Sequence, residues 1–518
     1  MTDSLLPDLI QQMLRPDFYP HPVQSSSPDS TSANTVQLIQ THISYVLLTG
    51  EFAYKIKKPL NFGFLNYSTL EARQHFCEEE LRLNQRGAAQ IYLEVLPITQ
   101  SAEGYQLGGA GEAVEYAVKM QQFPQDTLLT NLFEQGKLTP ELLQQLAKTI
   151  AEFHAKTASS DYIRSFGEVS QIRQAFDENF EQTVQYIGGP QTQQQFDETQ
   201  AYCNQFFASQ TALFEQRVAA DRIRECHGDL HLRNIAYWHE TLLLFDCIEF
   251  NESFRFVDVM FDVAYIVMDL EARQRPDLSS LFLNAYAEQT GDWEGLQVLP
   301  IYVNRQTYVR AKVTSFLLSD PGVPAAEKQQ AQETAALYYR LAWQFSQPRQ
   351  GKLMVMSGLS GSGKSTTARQ IAAQGAIQIR SDAVRKHLGG IPLEQRGDAD
   401  LYTPEMTEKT YARLLELGLA LAAQGYAVVL DAKYDRVALR QQVIEQAASQ
   451  QMPLQIIHCA APLEVLKQRL DQRQGDIADA TADLLAKQVF EPFTASEQAY
   501  VTSIDTTQPI EPQLHNLS

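Results

Sequence analysis

The sequence predicts a multidomain protein of mixed α/β and α+β class. At 518 residues the chain is too long for a single hydrophobic core. Helical periodicity dominates the region from Leu138 to about residue 346, after a first part that contains several strand-like runs. A glycine-rich motif then stands between a short apolar strand and a helix, which is the arrangement found in parallel α/β sheets.

Composition describes an ordinary globular chain, with 44% hydrophobic and 20% charged residues. No apolar run approaches the roughly 20 residues that a membrane helix requires, and the acidic start at Asp3 is unlike a secretory signal. The five cysteines are odd in number, scattered and without metal-ligand spacing. We therefore expect a cytoplasmic protein without a membrane partner.

The net charge of −20 is unevenly distributed along the chain. Residues 1–350 hold 26 Lys and Arg against 43 Asp and Glu, whereas residues 351–518 hold 16 against 19. The acidic first part repels nucleic-acid phosphates and favours cationic partners, although an acidic surface that aids solubility explains the charge equally well. Nucleic acid is therefore not expected as a partner.

One stretch carries most of the functional information. It reads H-G-D-x-x-x-x-N from His227 to Asn234, and an apolar strand-like run then ends in Asp246. The pattern resembles the H-R-D-x-x-x-x-N loop of protein kinases and, with Gly in place of Arg, the aminoglycoside phosphotransferase and choline kinase family. The resemblance implies a bilobal, protein-kinase-like domain in which Asp229 is the catalytic base and Asn234 and Asp246 bind the metal ion.

Phosphoryl transfer gives a physical reason for this spacing. Asp229 would accept the proton of a hydroxyl group, while Asn234 and Asp246 would approach one metal ion from a loop and a neighbouring strand. An Asx-rich turn between two strands is the alternative, because Asp and Asn favour turns. Such a turn requires neither His227-Gly228 nor an acid at the end of an apolar strand, so we prefer the catalytic interpretation.

Two strand-like runs precede this motif, Ile43 to Leu48 and Phe52 to Lys57, and the three residues between them predict a tight hairpin. The resemblance implies that a Lys on the second strand pairs with the nucleotide phosphates and with a Glu of the next helix. Lys55 and Lys57 share one face of the strand. The kinase V-A-I-K pattern favours Lys55.

The partner glutamate should lie on the helix predicted from the capping-box pattern at Ser68 to about Arg86. Its distance from the following strand-like run favours Glu79, with Glu80 second. Protein kinases also cover the phosphates with a glycine-rich loop, but the turn at residues 40–42 has no glycine. Hydroxyls or backbone amides would have to serve there. Aminoglycoside phosphotransferase relatives often lack the glycine pattern too.

The lobes of the first domain follow from the same resemblance. The alternating run from Ala113 to Met120 leads into residues 121–124, which we interpret as a hinge against which adenine would lie. We therefore predict a first domain over residues 1–346, with a small lobe at about 35–122 and a large lobe at about 123–346.

The large lobe is predicted to be mostly helical, because residues 138–153 are apolar on one helical face and residues 280–346 look helical throughout. A pattern that resembles the family's R-x-x-D-x-x-x-D ends in Asp262, which we interpret as a buried acid that braces the catalytic loop. His154 is interpreted as structural, and Glu249 as a second residue near the metal.

A P-loop NTPase domain with a parallel sheet and helices on both faces is predicted over residues 352–518, after a linker at 347–351. It opens with a strand and a complete G-x-x-x-x-G-K-S motif. The backbone amides would cradle phosphates, Lys364 would span the β- and γ-phosphates, and Ser365 would reach Mg²⁺. The predicted nucleotide-binding residues are Gly358, Leu359, Ser360, Gly361, Ser362, Gly363, Lys364, Ser365 and Thr366.

The strand after this motif ends in S-D-x-x-R, which resembles the polynucleotide kinase, gluconate kinase and zeta-toxin group of P-loop kinases. The resemblance implies that Asp382 deprotonates the acceptor hydroxyl and that Arg385 holds the acceptor or its phosphate. Asp431 ends a buried strand and is predicted to support Mg²⁺. Arg469 and Arg473 share a helix face, and the resemblance implies lid arginines that neutralise the transferring phosphoryl group; a solvated face is the alternative.

Together the resemblances cover nearly the whole chain and look like a bacterial fusion of an aminoglycoside-phosphotransferase-like domain with an ATP-binding domain. We predict two ATP- and Mg²⁺-dependent kinase modules, each transferring the γ-phosphoryl group to a hydroxyl of a small molecule. In the alternative, the first half only binds or regulates, and the second phosphorylates a small molecule or a nucleic-acid end. Retention of Asp229, Asn234 and Asp246 argues against a non-catalytic first half, and the lack of a basic stretch argues against nucleic acid.

Overall fold

The computed structural model describes residues 6–24, 35–102, 104–472, 477, 485 and 488–514. Arg473, predicted as a lid arginine, lies outside these described residues. Within them, none of the helices combines the length and the apolar character needed to cross a membrane.

The first part of the chain forms a six-stranded antiparallel sheet. Its strands are β1 (Gln37–Gln40), β2 (Ser44–Leu48), β3 (Phe52–Lys57), β4 (Tyr92–Ser101), β5 (Gly104–Leu107) and β6 (Ala113–Gln121). They lie in the order β1-β2-β3-β6-β4-β5. Strands β2 and β3 are the predicted hairpin, which places Lys55 opposite Val46 on one side and Val118 on the other. The short helix α1 (Asp8–Met13) packs its buried Ile10 and Met13 into the core of this sheet.

Helix α2 (Leu70–Ala88) lies across β4 and β6 and begins one residue later than the capping pattern predicts. The hydroxyl of Thr69 accepts a hydrogen bond from the Ala72 amide at 3.1 Å and caps the helix. Ser68, the expected cap, donates to Asn66 instead.

The large lobe is mostly helical, as the periodicity predicts. Its helices are α3 (Leu129–Glu134), α4 (Pro140–Lys156), α5 (Asp161–Ser165), α6 (Val169–Thr183), α7 (Gln193–Ser209), α8 (Thr211–Ala219), α9 (Glu252–Arg255), α10 (Val259–Ala272), α11 (Pro276–Thr290), α12 (Leu299–Ser319) and α13 (Ala325–Ser346). The run predicted as helical throughout is therefore interrupted. Gly291 adopts the left-handed conformation and ends α11, and a second break separates α12 from α13.

Two small antiparallel pairs frame the segment that carries the first motif. One pair is β7 (Ile223–Glu225) with β10 (Phe256–Asp258), and the other is β8 (Ile235–Trp238) with β9 (Thr241–Leu244). The H-G-D loop connects β7 to β8, so both of its ends are fixed by strand pairing.

The last part of the chain is built on a five-stranded parallel sheet. Its strands are β11 (Lys352–Ser357), β12 (Ile377–Arg380), β13 (Ala427–Asp431), β14 (Leu454–Ala460) and β15 (Val501–Asp505). The order is β12-β13-β11-β14-β15, which confirms the predicted parallel sheet. The described helices around it are α14 (Lys364–Ala372), α15 (Ser381–Leu388), α16 (Pro404–Ala423), α17 (Val437–Ser449), α18 (Leu463–Asp471) and α19 (Glu511–Leu514).

Both faces of this sheet are covered, because alternate residues of β11 enter different cores. Met354 and Met356 pack with residues of α14 and α19. Leu353 and Val355 pack with α16 in a core that continues into the large lobe. Hydrophobic packing therefore joins the two parts of the chain.

Candidate active sites

The backbone of the H-G-D loop is held by a buried carboxylate on α10. The amides of His227 and Gly228 donate to the two oxygens of Asp262 at 2.8 and 2.9 Å. His154 Nε2 lies 3.2 Å from the same carboxylate. Burial raises the pKa of Asp262, but these donors lower it below its ordinary value. Asp262 thus braces the loop, as the pattern predicts, and His154 supports it from α4.

The hydrogen bonds of His227 assign a role to each of its two ring nitrogens. Nε2 is 2.8 Å from the carbonyl oxygen of Phe245, which only accepts, so Nε2 donates. Nδ1 accepts from the amide of Asp229 at 3.3 Å. The imidazole therefore ties the loop to the segment that enters Asp246.

Gly228 has a φ of 86°, and a Cβ at this position would lie 2.6 Å from the carbonyl oxygen of Phe254. We expect Gly228→Ala to destabilise the first domain by about 1–3 kcal/mol, because it adds both backbone strain and a clash. Urea unfolding measures the loss. Gly136→Ala is the matched control, since Gly136 also has a positive φ but no atom within 4 Å of a Cβ. Equal losses in both variants would contradict the role of the close contact.

The hairpin of β8 and β9 brings the predicted metal ligands together. The amide of Phe245 donates to the carbonyl of Asn234 at 3.0 Å, so Asn234 and Asp246 lie at the same end of the hairpin. The side-chain amide of Asn234 also donates to the backbone carbonyl of Asp229 at 3.0 Å and to its Oδ2 at 3.3 Å. The structure therefore clusters the three residues that the motif contains.

The carboxylate of Asp229 is only partly exposed and is surrounded by positive or polarisable groups. His231 Nε2 lies 3.4 Å from its Oδ2. Burial raises the pKa of Asp229, but His231, and more weakly Arg310, lower it below the ordinary value. Asp229 is therefore ionised at neutral pH and suited to accept a hydrogen bond from a hydroxyl. Arg310 on α12 was not found from the sequence.

The two lysines of β3 share one glutamate. Lys55 Nζ lies 2.7 Å from Glu80 Oε1 and 3.0 Å from Asp246 Oδ1. Lys57 Nζ lies 2.7 Å from Glu80 Oε2 and also pairs with Glu249. Lys55 thus reaches toward the metal-binding candidates, whereas Lys57 is buried behind it. Glu249, which was predicted to lie near the metal, pairs with the buried Lys57.

The ion pair predicted with Glu79 is wrong, and Glu80, the second choice, is the partner. Glu79 pairs with Arg82 at 2.8 Å and lies 3.6 Å from Arg255. The reason is the rotation of α2, whose buried face contains Cys77, Glu80 and Asn84 at spacings of three and four. That spacing was the signal in the sequence that distinguishes the two glutamates.

Glu80 provides a pH-dependent stability test. Although burial opposes its ionisation, Lys55 and Lys57 lower the pKa of Glu80 from 4.5 to about 2. Because the pKa of Glu80 is lower in the folded protein than its ordinary value, its ionised carboxylate stabilises the fold. This stability is fully present above pH 4.5 and is lost as the pH falls toward about 2. We expect Glu80→Gln to cost about 3–5 kcal/mol at pH 7, because it leaves two buried lysines without this partner.

Urea unfolding between pH 7 and pH 3 measures this effect. The difference in the free energy of unfolding between wild type and Glu80→Gln should become smaller as the pH falls below 4.5. Glu79→Gln is the matched control on the adjacent, more exposed position. A gap that stays constant over this range would show that the ionised form of Glu80 is not what stabilises the small lobe.

The glycine-poor turn before β2 is closed by its own side chain. The Thr41 hydroxyl accepts hydrogen bonds from the amides of Ile43 and Ser44 at 3.3 and 2.9 Å.

The predicted hinge residue Phe123 packs against Phe245 and Trp238, with ring centroids 5.3 and 6.2 Å apart. The edge of the small lobe is therefore connected to the β8 and β9 hairpin.

The second candidate site begins with the phosphate-binding motif between β11 and α14. At Gly361, φ is 80° and a Cβ would lie 2.6 Å from the Leu466 carbonyl oxygen, so the close approach of these segments requires glycine. Lys364 is buried, and its Nζ donates to the Leu359 carbonyl at 2.8 Å. Burial lowers the pKa of Lys364, and Asp431 acts in the opposite direction.

A cleft of about 1260 Å³ opens beside this loop. It brings together most of the residues that the sequence predicts for the second site. The predicted residues among its lining are Ser360, Gly361, Gly363, Lys364, Ser365, Thr366, Asp382, Arg385, Asp431 and Arg469.

Arg385 and Arg469 line the cleft, and each is anchored by hydrogen bonds to backbone carbonyls. Arg385 donates to the Leu401 carbonyl at 3.1 Å and to the Thr407 hydroxyl at 3.2 Å. Arg469 donates to the Thr506 carbonyl at 2.7 Å and to the Gly361 carbonyl at 3.4 Å. In this structure Arg469 therefore supports the phosphate-binding loop itself.

Two residues of β12 near Asp431 were missed from the sequence. Gln378 donates its side-chain amide to Asp431 Oδ2 at 2.8 Å. Arg380 is paired in register with Asp431, and its Nε lies 3.9 Å from Oδ2. Both belong to one face of β12, and this alternation was the available signal.

The fold joins a kinase-like first part to a P-loop domain, and a family model matches a portion of each. Residues 74–299 match the model of the phosphotransferase enzyme family that is named for APH. Residues 353–492 match the model of an AAA domain. The predicted combination of the two domains is thereby confirmed.

Relatives extend over most of the chain. An uncharacterized protein of Mycobacterium tuberculosis is 28% identical over 456 residues, which are 87% of this chain and 89% of that protein. A gluconokinase structure from Sinorhizobium meliloti 1021 is 24% identical and covers 32% of this chain and 90% of its own, with a TM-score of 0.24. A choline/ethanolamine kinase family structure from Mesorhizobium loti is 11% identical and covers 62% and 94%, with a TM-score of 0.35. The combination of the two domain types rests on the two family models.

Proposed function

We propose that the chain is an ATP- and Mg²⁺-dependent phosphotransferase with two kinase modules. Each module transfers the γ-phosphoryl group of ATP to a hydroxyl of a small molecule. The observation that carries the proposal is that each half gathers a candidate base with phosphate-binding and metal-binding groups. In the first half these are Asp229, which accepts a hydrogen bond from Asn234, and Asp246, which pairs with Lys55. In the second half Asp382 and Lys364 line the same cleft.

The side chains present fit a magnesium ion in both modules. Asn234 uses its amide nitrogen toward Asp229, and its Oδ1 accepts no hydrogen bond from the residues that the structure describes. Asp246 is half exposed, at 49%. Ser365 and Asp431 supply oxygen atoms in the second module. Oxygen donors of this kind are the ligands Mg²⁺ prefers, and a bound ion would neutralise charge on the transferring phosphoryl group.

In the first module Asp229 orients the acceptor hydroxyl and takes its proton, while Lys55 binds phosphate oxygens. The ionised state of Asp229 and the buried counter-charge of Glu80 on Lys55 support these roles. Phosphoryl transfer needs little covalent chemistry from the protein, so positioning and charge stabilisation provide most of the rate.

In the second module the loop amides and Lys364 bind the phosphates, and Asp382 at the start of α15 takes the acceptor proton. Arg385 is held against the ring of Tyr402, with 5.2 Å from its guanidinium carbon to the ring centroid. Its charge is therefore fixed at the wall of the cleft, where it would hold the acceptor or its phosphate.

The proposal is tested by incubating the full chain with Mg²⁺ and γ-labelled ATP in the presence of pooled sugars, nucleosides and aminoglycosides. Labelled organic product is the expected result. Label that is found only in ATP and inorganic phosphate, with every pool, would contradict the assignment of hydroxyl acceptors.

A further inference from the structure

Helix α11 of the first domain presents a polar stripe to the P-loop domain. The stripe consists of Ser280, Asn284 and Glu288, whose spacing of four residues places them on one helical face. Ser280 Oγ donates to the carbonyl of Ala372 at 2.6 Å, and Asn284 Nδ2 donates to the carbonyl of Ala376 at 2.9 Å. The stripe therefore binds the segment that leads into β12.

Two residues of β12 extend this contact to Asp431. The amide of Gln378 donates to Asn284 Oδ1 at 2.7 Å, and its side chain donates to Asp431 Oδ2 at 2.8 Å. Arg380 lies on the same face of the strand. Its Nη1 is 3.5 Å from Glu288 Oε1, while its Nε is 3.9 Å from Asp431 Oδ2. The metal-supporting candidate is thus linked to α11 through both residues.

Glu288 belongs to the first domain but lines the cleft of the second, together with Lys364 and Asp382. Its backbone carbonyl accepts a hydrogen bond from His387 Nε2 at 2.8 Å, which fixes this end of α11 against α15. The side chain of Arg380 is only 10% exposed, compared with 25% for Glu288. The guanidinium therefore stands in a poorly solvated position between two carboxylates.

We propose that Glu288 is a positioning residue of the P-loop site and is supplied by the other domain. It draws Arg380 away from Asp431 and so leaves the Asp431 carboxylate available to support Mg²⁺. A guanidinium and a metal ion compete for the same carboxylate oxygens, and this competition is strong where solvent is excluded. The inference rests on the phosphotransferase function proposed for the P-loop module.

The test measures how binding of ATP to the full chain depends on Mg²⁺ concentration, by calorimetry, in a Lys55→Ala background that weakens the first site. Without Glu288, Arg380 is expected to close the 3.9 Å gap to Asp431. We expect Glu288→Gln to raise, by about tenfold, the Mg²⁺ concentration at which the effect of Mg²⁺ on ATP binding is half-maximal. The affinity for ATP without Mg²⁺ should change less than about twofold, because the phosphate-binding loop is untouched.

Glu394→Gln is the matched control. Glu394 pairs with Lys148 at 2.9 Å across the same boundary between the domains but does not line the cleft. It should leave the Mg²⁺ dependence unchanged. If Glu288→Gln behaves like Glu394→Gln, the positioning role is refuted.

A double variant distinguishes positioning from general damage. Removing the competing charge with Glu288→Gln and Arg380→Gln together should return the Mg²⁺ dependence to within about threefold of the parent. Failure of this rescue would overturn the proposal. A separate variant tests the underlying function. If Lys364→Ala leaves ATP binding unchanged in the Lys55→Ala background, the P-loop site does not bind ATP. The inference about Glu288 then fails as well.

Discussion

Replacing Asp229 by Asn should lower phosphoryl transfer by the first module about 10³-fold. Asparagine keeps the size of the side chain and can still hydrogen-bond with Asn234 and His231, but it cannot take the proton of a hydroxyl group. The loss should therefore fall on kcat, with the KM for ATP changed only slightly. Initial rates of labelled product formation, at varied ATP and fixed acceptor, measure both constants.

Asp197→Asn is the control for this variant. Asp197 is exposed on α7, and its carboxylate accepts a hydrogen bond only from Gln193 among the residues that the structure describes. It should transfer phosphoryl groups at the parent rate. An Asp229→Asn protein that keeps more than about a tenth of the Asp197→Asn rate would contradict the assignment of the base.

Replacing Lys364 by Ala should lower turnover by the second module about 10²–10³-fold and weaken ATP binding as well. The Lys364 ammonium is buried in the phosphate-binding loop, where its charge is poorly screened by water. Both ground-state binding and transition-state stabilisation therefore depend on it. Calorimetric binding of ATP and the rate of product formation measure the two effects.

Lys467→Ala is the comparison for the second module. Lys467 lies on α18, pairs with Glu464 at 3.3 Å and is not part of the cleft. Its removal should change neither binding nor rate. ATP affinity that is equal in the Lys364→Ala and Lys467→Ala proteins would show that the cleft is not the nucleotide site.

The features that the sequence predicted correctly are local motifs, whose residues lie within a short stretch of the chain. The spacing of Asp229, Asn234 and Asp246 was enough to predict that they lie close together, because one loop and one hairpin contain all three. The phosphate-binding motif is likewise local, since a single strand, loop and helix contain it. In both cases the residues that must meet are neighbours in sequence or lie next to the ends of paired strands.

Features that depend on rotation or on distant packing were predicted less well. The choice between Glu79 and Glu80 depends on which face of α2 turns toward β3, a difference of about 100° of helix rotation. Glu288 stands far from β12 in the sequence, and only the packing of α11 brings it to Arg380. Each motif lies within one domain, so the motifs do not indicate a residue that one domain supplies to the other.

We propose that the two halves of the chain are separate catalysts. The most direct test compares labelled products formed from γ-labelled ATP by the parent chain, by Asp229→Asn and by Asp382→Asn, with the same pooled acceptors. If both halves are catalysts, each substitution removes a different product and the double variant forms neither. If Asp382→Asn alone abolishes every product and Asp229→Asn changes none, the first half is a binding or regulatory domain and the claim of two catalysts is wrong.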